Sequence, residues 1–302
     1  MKKICVIGSL NIDLTVTMPR FHLPGETIFG TDFKTYTGGK GGNQAVAAAK
    51  LGADVLMVGC LGDDSNAGIY RKLMTELKMN DCVKTVPGVP SGIALIEVDS
   101  QGENRIIVIS GANMCVDKAM IDDNWDKISA YDILLFQLEI PMETICYATE
   151  KLHAAGKTVI LDPAPAAPLS DELIRSLDYI IPNETELSIL SGCETEKEED
   201  IETGARRLLE RGCKNVIVKM GARGAMLVDE ENAVVIPGFK VKAIDTTAAG
   251  DSFNAGFGVA LASGKSVTEA ICFANAVGAL STTAVGAQGA MPSLQEVTQF
   301  ME

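Results

Sequence analysis

A chain of 302 residues, 47% hydrophobic and 22% charged, has the composition of a globular protein and the length of one large or two medium domains. Acidic residues outnumber basic ones 40 to 26, giving a net charge of −14. That balance excludes the basic footprint nucleic acid requires, disfavours an anionic membrane surface, and leaves any anionic substrate in need of local help such as a helix N-terminus.

The chain opens on Met1-Lys2-Lys3 and the apolar run Ile4–Ile7. The run soon meets Asn11 and Asp13 with no small-residue cleavage site, so it reads as a strand rather than a signal peptide, and the protein as cytoplasmic. No stretch reaches the 18 or so apolar residues of a membrane span. Similar runs follow at Val55–Val58, Ile133–Leu135, Thr158–Leu161, Tyr179–Ile181 and Val216–Val218. Short apolar runs of this kind fit strands buried on both faces, hence parallel strands. Helical patterns lie between them at Asn43–Leu51, Met142–Ala155 and Glu202–Arg211, each followed by a glycine that can cap it. The alternation predicts an α/β fold with a mostly parallel sheet.

Two stretches break the alternation. Thr15–Phe33 and Gly92–Ser110 have the pattern of antiparallel β structure, and Ile93–Val98 and Arg105–Ile109 flank the hairpin signal Ser100-Gln101-Gly102-Glu103. They form a small β excursion, about 14–34 and 91–110, within a single unit spanning 1–302. A second hairpin joins Ala225–Val228 to Ala233–Ile236 through Asp229-Glu230-Glu231-Asn232, and the acidic run Glu194–Asp200 is expected as a solvated loop. The 8 cysteines are scattered without a C-x-x-C pair and there are only 2 histidines, so a zinc cluster is poorly supplied and reduced core thiols are expected.

Polar residues gather just past the predicted strands: Asn11 and Asp13 after the first, then Glu139, Asp162, and Asn183 with Glu186. Each alone fits loop solvation or helix capping. Their shared position at strand ends points to a ligand site. Asn11 and Asp13, two apart in an extended segment, share a face, and an amide beside a carboxylate suits a polyhydroxylated ligand. Gly38-Gly39-Lys40-Gly41-Gly42-Asn43 is neither G-x-G-x-x-G nor a Walker loop; it is either a flexible turn or a place where backbone approaches a ligand. The strongest segment is Asp245–Gly256, where small residues lead into a helix. Free N–H groups of Ala249, Gly250 and Asp251 at its start would make an anion site able to stabilise a transferring phosphoryl group. Asp251 in the first turn favours the helix dipole, which should keep it ionised and weakly basic, suited to orienting a hydroxyl and taking its proton late.

Taken together, Gly8–Asp13, Pro24–Thr27, Gly38–Ala45, Gly102–Asn104, Gln137–Glu139, Asp162–Ala166, Pro182–Glu186, Asp245–Phe253 and Gly286–Gln288 resemble the ribokinase-like sugar kinases, also called the phosphofructokinase-B family, over nearly the whole chain. The resemblance implies a three-layer α/β/α sandwich with a mostly parallel central sheet and a small β-sheet lid. It implies an ATP-dependent kinase acting on the primary hydroxyl of D-ribose, with deoxyribose, another sugar or a nucleoside as the alternative. It places the sugar on Asn11, Asp13, Gly39, Lys40, Asn43 and Glu139, with Ala94 and Ile96 facing it from the lid. Asp251 becomes the catalytic base and Ala248, Ala249 and Gly250 the anion hole. Asn183 and Glu186 fall near the phosphates and Mg²⁺, and Lys219, Gly221, Gly224 and Asn275 near the nucleotide. A K⁺ site maps to Asp245, Thr247, Ser281, Ala284, Gly286 and Ala290, and a homodimer through the lids is implied. The chain departs from the family pattern at Lys219, usually Thr, at Gly42, usually Ala, and at Gly289-Ala290, usually Pro-Ser, which leaves only backbone oxygen at Ala290. Aromatics at 5% disfavour a nucleoside base, and the missing glycine fingerprint after the first strand disfavours an NAD oxidoreductase. A sugar-binding protein without catalysis would not need Asp251 beside an anion hole.

Overall fold

The computed structural model describes residues 3–302. The chain begins with β1 (Lys3–Ile7), β2 (Asn11–Thr17), β3 (Asp32–Gly38) and helix α1 (Lys40–Lys50), then β4 (Asp54–Gly62), α2 (Ser65–Glu76) and β5 (Asn80–Val86). The hairpin β6 (Gly92–Val98) and β7 (Asn104–Ile109) leads through the short helices α3 (Lys118–Asp123) and α4 (Trp125–Ile128) to β8 (Ile133–Phe136). Next come α5 (Met142–Ala154), β9 (Thr158–Leu161), α6 (Asp171–Arg175), β10 (Tyr179–Ile180), α7 (Glu184–Ser191), α8 (Glu198–Glu210) and β11 (Asn215–Lys219). The hairpin β12 (Gly224–Val228) and β13 (Ala233–Pro237) precedes α9 (Ala249–Leu261), α10 (Val267–Ser281), α11 (Ala287–Ala290) and α12 (Leu294–Met301).

Nine strands form one sheet in the order β13-β12-β11-β10-β9-β8-β1-β4-β5. Its pairs are parallel except β11–β12 and β12–β13. The apolar runs are continuous because side chains leave each strand alternately and both faces are covered. Ile4 and Val6 of β1 enter one core with α1, α9 and α10, while Cys5 and Ile7 enter the other with α5 and α8. Leu135 and Phe136 of β8 divide in the same way. The result is the α/β/α sandwich that was expected.

β3-β2-β6-β7 make a second, smaller sheet. β2 starts at Asn11, earlier than the expected excursion, because Asn11–Thr17 pair along their whole length with β3, which runs on to Gly38. Residues 18–31 carry no strand. The contact between β2 and β6 is parallel, not antiparallel, since each leaves the main sheet in the same sense. Three further details differ from the sequence reading. α1 begins at Lys40, so Gly41 and Gly42 are helical. Glu198–Asp200 form the acidic first turn of α8 instead of a loop, favoured there by the helix dipole. β5 and α2 carry polar residues at too many positions to stand out as apolar runs. The cysteines are all free, and among the described residues no helix is long and apolar enough to cross a membrane.

Candidate active site

β1 and β8 are neighbours, yet the chain continues from β1 toward β4 on one side and from β8 toward β9 on the other. The crevice beyond the C-terminal ends of two such strands is where open α/β sheets bind ligands. Here it is framed by Ser9 after β1 and by Gln137 and Glu139 after β8. Ser9 Oγ donates to Glu139 Oε2 at 2.5 Å, and the Lys40 N–H donates to the same oxygen at 2.9 Å. The glycine run is packed hard against these strand ends. A Cβ on Gly41 would stand 2.5 Å from Ser9 N, and Gly39 holds φ +80° at the helix start. It is a helix N-terminus pressed onto a strand, not a flexible turn.

Asn11 and Asp13 share one face of β2, and the register sets Asp13 beside Ala94 and Thr15 beside Ile96, so Ala94 and Ile96 share that face. Asn11 Oδ1 accepts from Asn113 Nδ2 at 2.7 Å, which leaves the Asn11 Nδ2 hydrogens to donate elsewhere. Asn113 is itself fixed by the Leu10 N–H on its Oδ1 at 2.8 Å. Asp13 stands over Gly38, where a Cβ would come within 2.2 Å of its carboxylate. Burial, then the charges of Glu139 and Asp251, push the Asp13 carboxyl up to about 7. Hydroxyl donors from a sugar would relieve this by favouring the ionised form.

Asp251 lies in the first turn of α9, 5% exposed. Its Oδ2 accepts from Asn43 Nδ2 at 2.9 Å and its Oδ1 from Gln44 Nε2 at 3.2 Å. Gln44 Nε2 also reaches Asp162 Oδ2 at 3.0 Å, and Gln44 Oε1 accepts from Gln137 Nε2 at 2.7 Å. The helix dipole was expected to hold Asp251 low. Burial overrides it: desolvation, aided by the charge of Asp162, raises the carboxyl to about 6 against the opposing pull of Lys40 and the two amides. Lys40 is lowered by burial, but Asp251, Asp162, Glu139 and Glu186 together outweigh that and keep its ammonium charged.

The turn before α9 is bent by Ala248, which adopts left-handed φ +58° without being glycine, a conformation that needs support from its surroundings. The Ala249 N–H folds back onto Thr246 O at 3.2 Å, so the donors left without a backbone acceptor are those of Gly250 and Asp251 rather than all three. Lys219 Nζ lies 3.5 Å from where a Gly250 Cβ would stand and pairs with Asp162 Oδ1 at 2.8 Å. Asn183 and Glu186 close a capping box on α7, with reciprocal bonds of 2.8 and 2.7 Å, which fixes both beside Lys219. Burial raises the Glu186 carboxyl, with Asp162 adding and Lys219 opposing.

Two cavities meet at this point. One, about 300 Å³, is bounded by Lys40, Asp162, Asn183, Glu186 and Asp251. The other, about 580 Å³ and walled by Phe239, Val241 and Phe253, continues from it, and Lys219, Gly221, Thr246, Ala249 and Gly250 line both. Gly224 and Asn275 line the larger cavity, each with a structural duty besides. A Cβ on Gly224 would come within 2.2 Å of Ile236 O, and Asn275 Nδ2 donates to Ile236 O and Pro237 O at 3.0 and 3.2 Å.

Of the expected cation residues, Asp245, Thr247 and Gly286 are drawn together. Asp245 Oδ1 accepts from Thr247 N and Oγ1 at 2.9 and 2.6 Å, and Oδ2 from Gly286 N at 2.9 Å. Burial alone would raise Asp245, but these bonds outweigh it and hold the carboxyl below its usual range. The Ser281 hydroxyl donates to Gly278 O at 2.8 Å, and Ala284 and Ala290 have only backbone oxygen to offer. Residues the sequence did not single out hold the site together with the strand-end Asp162: Ser9, Gln44, Asn113 and Gln137. Gln44 carried a signal, an amide beside Asn43 at the head of an otherwise small and apolar helix.

A model of the pfkB family carbohydrate kinases matches residues 1–294. The chain is 40% identical to ribokinase of Haemophilus influenzae over 302 residues, all of this chain and 99% of that one. The crystal structure of ribokinase from Thermotoga maritima superposes with a TM-score of 0.93 at 41% identity, covering 100% of this chain and 99% of the other. The structure of Arabidopsis thaliana ribokinase complexed with ribose and ATP gives 0.95 at 35% identity, with the same coverage.

Proposed function

The chain belongs to the pfkB family of carbohydrate kinases, and from that premise we propose that it transfers the γ-phosphoryl group of ATP to the primary hydroxyl of D-ribose, giving D-ribose 5-phosphate and ADP. The observation that carries this reading is the place of Asp251: a buried carboxylate beside the unpaired N–H groups of Gly250 and Asp251, where the polar crevice opens into the larger cavity. Asn11, Asp13, Lys40, Asn43 and Glu139 supply donors and acceptors suited to sugar hydroxyls. Asp251 orients the primary hydroxyl. Its oxygen bonds to the γ-phosphorus as the bond to the β-phosphate oxygen breaks, and the proton passes to Asp251 late. The Gly250 and Asp251 amides and Lys219 meet the charge on the phosphoryl oxygens. The nucleotide occupies the larger cavity.

Two ions fit the donor sets. Glu186 and Asn183 offer oxygen ligands beside the polar cavity; Mg²⁺ there would neutralise phosphate charge. Asp245 and the backbone oxygens of 281–290 offer only hard oxygen, which suits K⁺ and would order the turn before α9. The protein acts in the cytoplasm. The test is ATP consumption that depends on added ribose, with NMR showing phosphate at C5. The rate should rise when K⁺ replaces tetramethylammonium at equal ionic strength. Phosphorylation of 2-deoxyribose or a nucleoside in preference to ribose would overturn the sugar assignment, and equal rates in both salts would overturn the cation.

The small sheet is the lid over the sugar, and pairing of two lids makes the protein a homodimer. Leu95, Ile107, Ile109 and Phe33 share the face opposite Asp13, by register. Leu95 is 39% and Ile107 61% exposed, and an apolar sheet face of this kind seeks a partner. Ile106 and Val108 on the sugar side of β7 are exposed as well, so the strand at the sheet edge is open on both faces. Leu95→Asp should convert a wild-type dimer to monomer in sedimentation and raise the KM for ribose. A wild type that is fully active as a monomer at micromolar concentration would reject the pairing.

A further inference from the structure

Gly286-Ala287-Gln288 belongs to the cation-loop segment, but Gln288 has no place in the chemistry above. It is 6% exposed, and its amide touches three elements at once. Gln288 Nε2 donates to Asn43 Oδ1 at 3.0 Å and to Tyr70 Oη at 2.9 Å, and Gln288 Oε1 accepts from Thr37 Oγ1 at 2.6 Å. Tyr70 in turn donates to the carbonyl of Gly38, the last residue of β3.

The direction of these bonds is forced. A backbone carbonyl can only accept, so the Tyr70 hydroxyl spends its one hydrogen on Gly38 O and can only accept from Gln288. Gln288 must therefore turn its NH₂ toward Tyr70, which places the same NH₂ against Asn43. Asn43 then presents its oxygen to Gln288, and its own NH₂ faces Asp251. Reversing either amide would set like against like in a buried place, oxygen against oxygen or NH₂ against NH₂, at the cost of an unmade hydrogen bond. Gln288 itself is held at both ends of its short helix: Lys50 Nζ donates to Gln288 O and Met291 O at 2.7 and 3.0 Å, and the Gly286 N–H is bound by Asp245.

We propose that Gln288 is a positioning residue that fixes the Asn43 amide toward Asp251 and at the same time pins strand β3 of the lid, so that lid and catalytic carboxylate are held in one register. The inference rests on the kinase reading for the role of Asp251, but its bonds and its test do not need turnover. The charged groups around Asp251 are Lys40 at the head of α1, Asp162 after β9 and Asp13 on β2, and none of them changes in the variants below.

The test is the carboxyl titration of Asp251 by ¹³C NMR in the free full-length protein, together with amide hydrogen exchange in β3. Gln288→Met keeps the volume and removes the donors. Asp251 should titrate about one pH unit higher, because a donor that favours its ionised form is freed to turn away. β3 amides should exchange about tenfold faster. Tyr70→Phe removes the anchor that sets the direction, so it should move Asp251 the same way by less. Thr37→Val should loosen β3 and leave Asp251 where it was. Should Gln288→Met not fold, the Tyr70→Phe and Thr37→Val pair still decides the matter. An unchanged Asp251 titration in both Gln288→Met and Tyr70→Phe overturns the proposal, whether or not the wild type phosphorylates ribose. A protein inactive on ribose in which these titrations still move would overturn the ribose assignment alone.

Discussion

Asp251→Asn should lose turnover by about 10²–10⁴-fold while the protein stays folded and becomes no less stable. The two outcomes have one cause. Asp251 is buried in a place that raises its carboxyl to about 6, so keeping it ionised at neutral pH works against folding. For an acid whose folded value lies above its unfolded one, stability is greatest at low pH and is lost as pH rises through the interval from 3.8 to about 6. Asparagine carries no such charge, so the melting temperature at pH 7–8 should equal or exceed that of the wild type. What asparagine cannot do is accept a proton. It also offers one acceptor where Asn43 and Gln44 need two, so one amide bond is lost. Activity of the wild type should fall on the acid side near pH 6, and the residual activity of the variant should lack that limb. Turnover close to wild type in a folded variant would remove Asp251 from the chemistry.

Why was so much of this site visible in the sequence? The residues that the proposed site uses sit at strand ends, where apolar runs stop, so Asn11, Asp13, Glu139, Asn183 and Glu186 stand out against Ile4–Ile7, Ile133–Phe136 and Tyr179–Ile180. The central strands were legible for the same reason: burial on both faces leaves no polar residue inside them. Less legible was anything decided by contacts between distant segments. β5 at the edge of the sheet and α2 beside it have mixed polarity, and β2 runs parallel to β6, a pairing of residues about 80 apart that no local pattern contains. The strained Ala248 gave no signal, since alanine does not announce a left-handed turn. Gln137 and Gln288 lie in stretches that carry the family resemblance, yet nothing local in the chain says what they bond to. Their roles, setting the direction of Gln44 and Asn43, exist only once four segments meet.

Lys219 yields the second large effect, and its test separates two roles that look alike in the free protein. Its ammonium pairs with Asp162, and the two side chains are only 13% and 2% exposed. Removing one partner of such a pair leaves a charge stranded in the interior, which costs about 3–5 kcal/mol. Lys219→Met should therefore lower the melting temperature as well as activity. The hydrogen bond from Gln44 Nε2 to its other carboxylate oxygen relieves only part of the charge left on Asp162. A second substitution, Asp162→Asn, removes the stranded charge while still accepting from Gln44, and the double variant should regain most of the lost stability. It should not regain activity. Lys219 Nζ lies 3.5 Å from the Cβ position of Gly250, at the junction of the two cavities, where the proposed reaction places the phosphoryl oxygens. Without its charge, kcat/KM for ATP should remain about 10²-fold down, the scale of one lost donor to a charge that develops in the transition state. The KM for ribose should change far less. If Lys219 serves only to neutralise Asp162, the double variant will recover rate and stability together, and the phosphate role is then wrong.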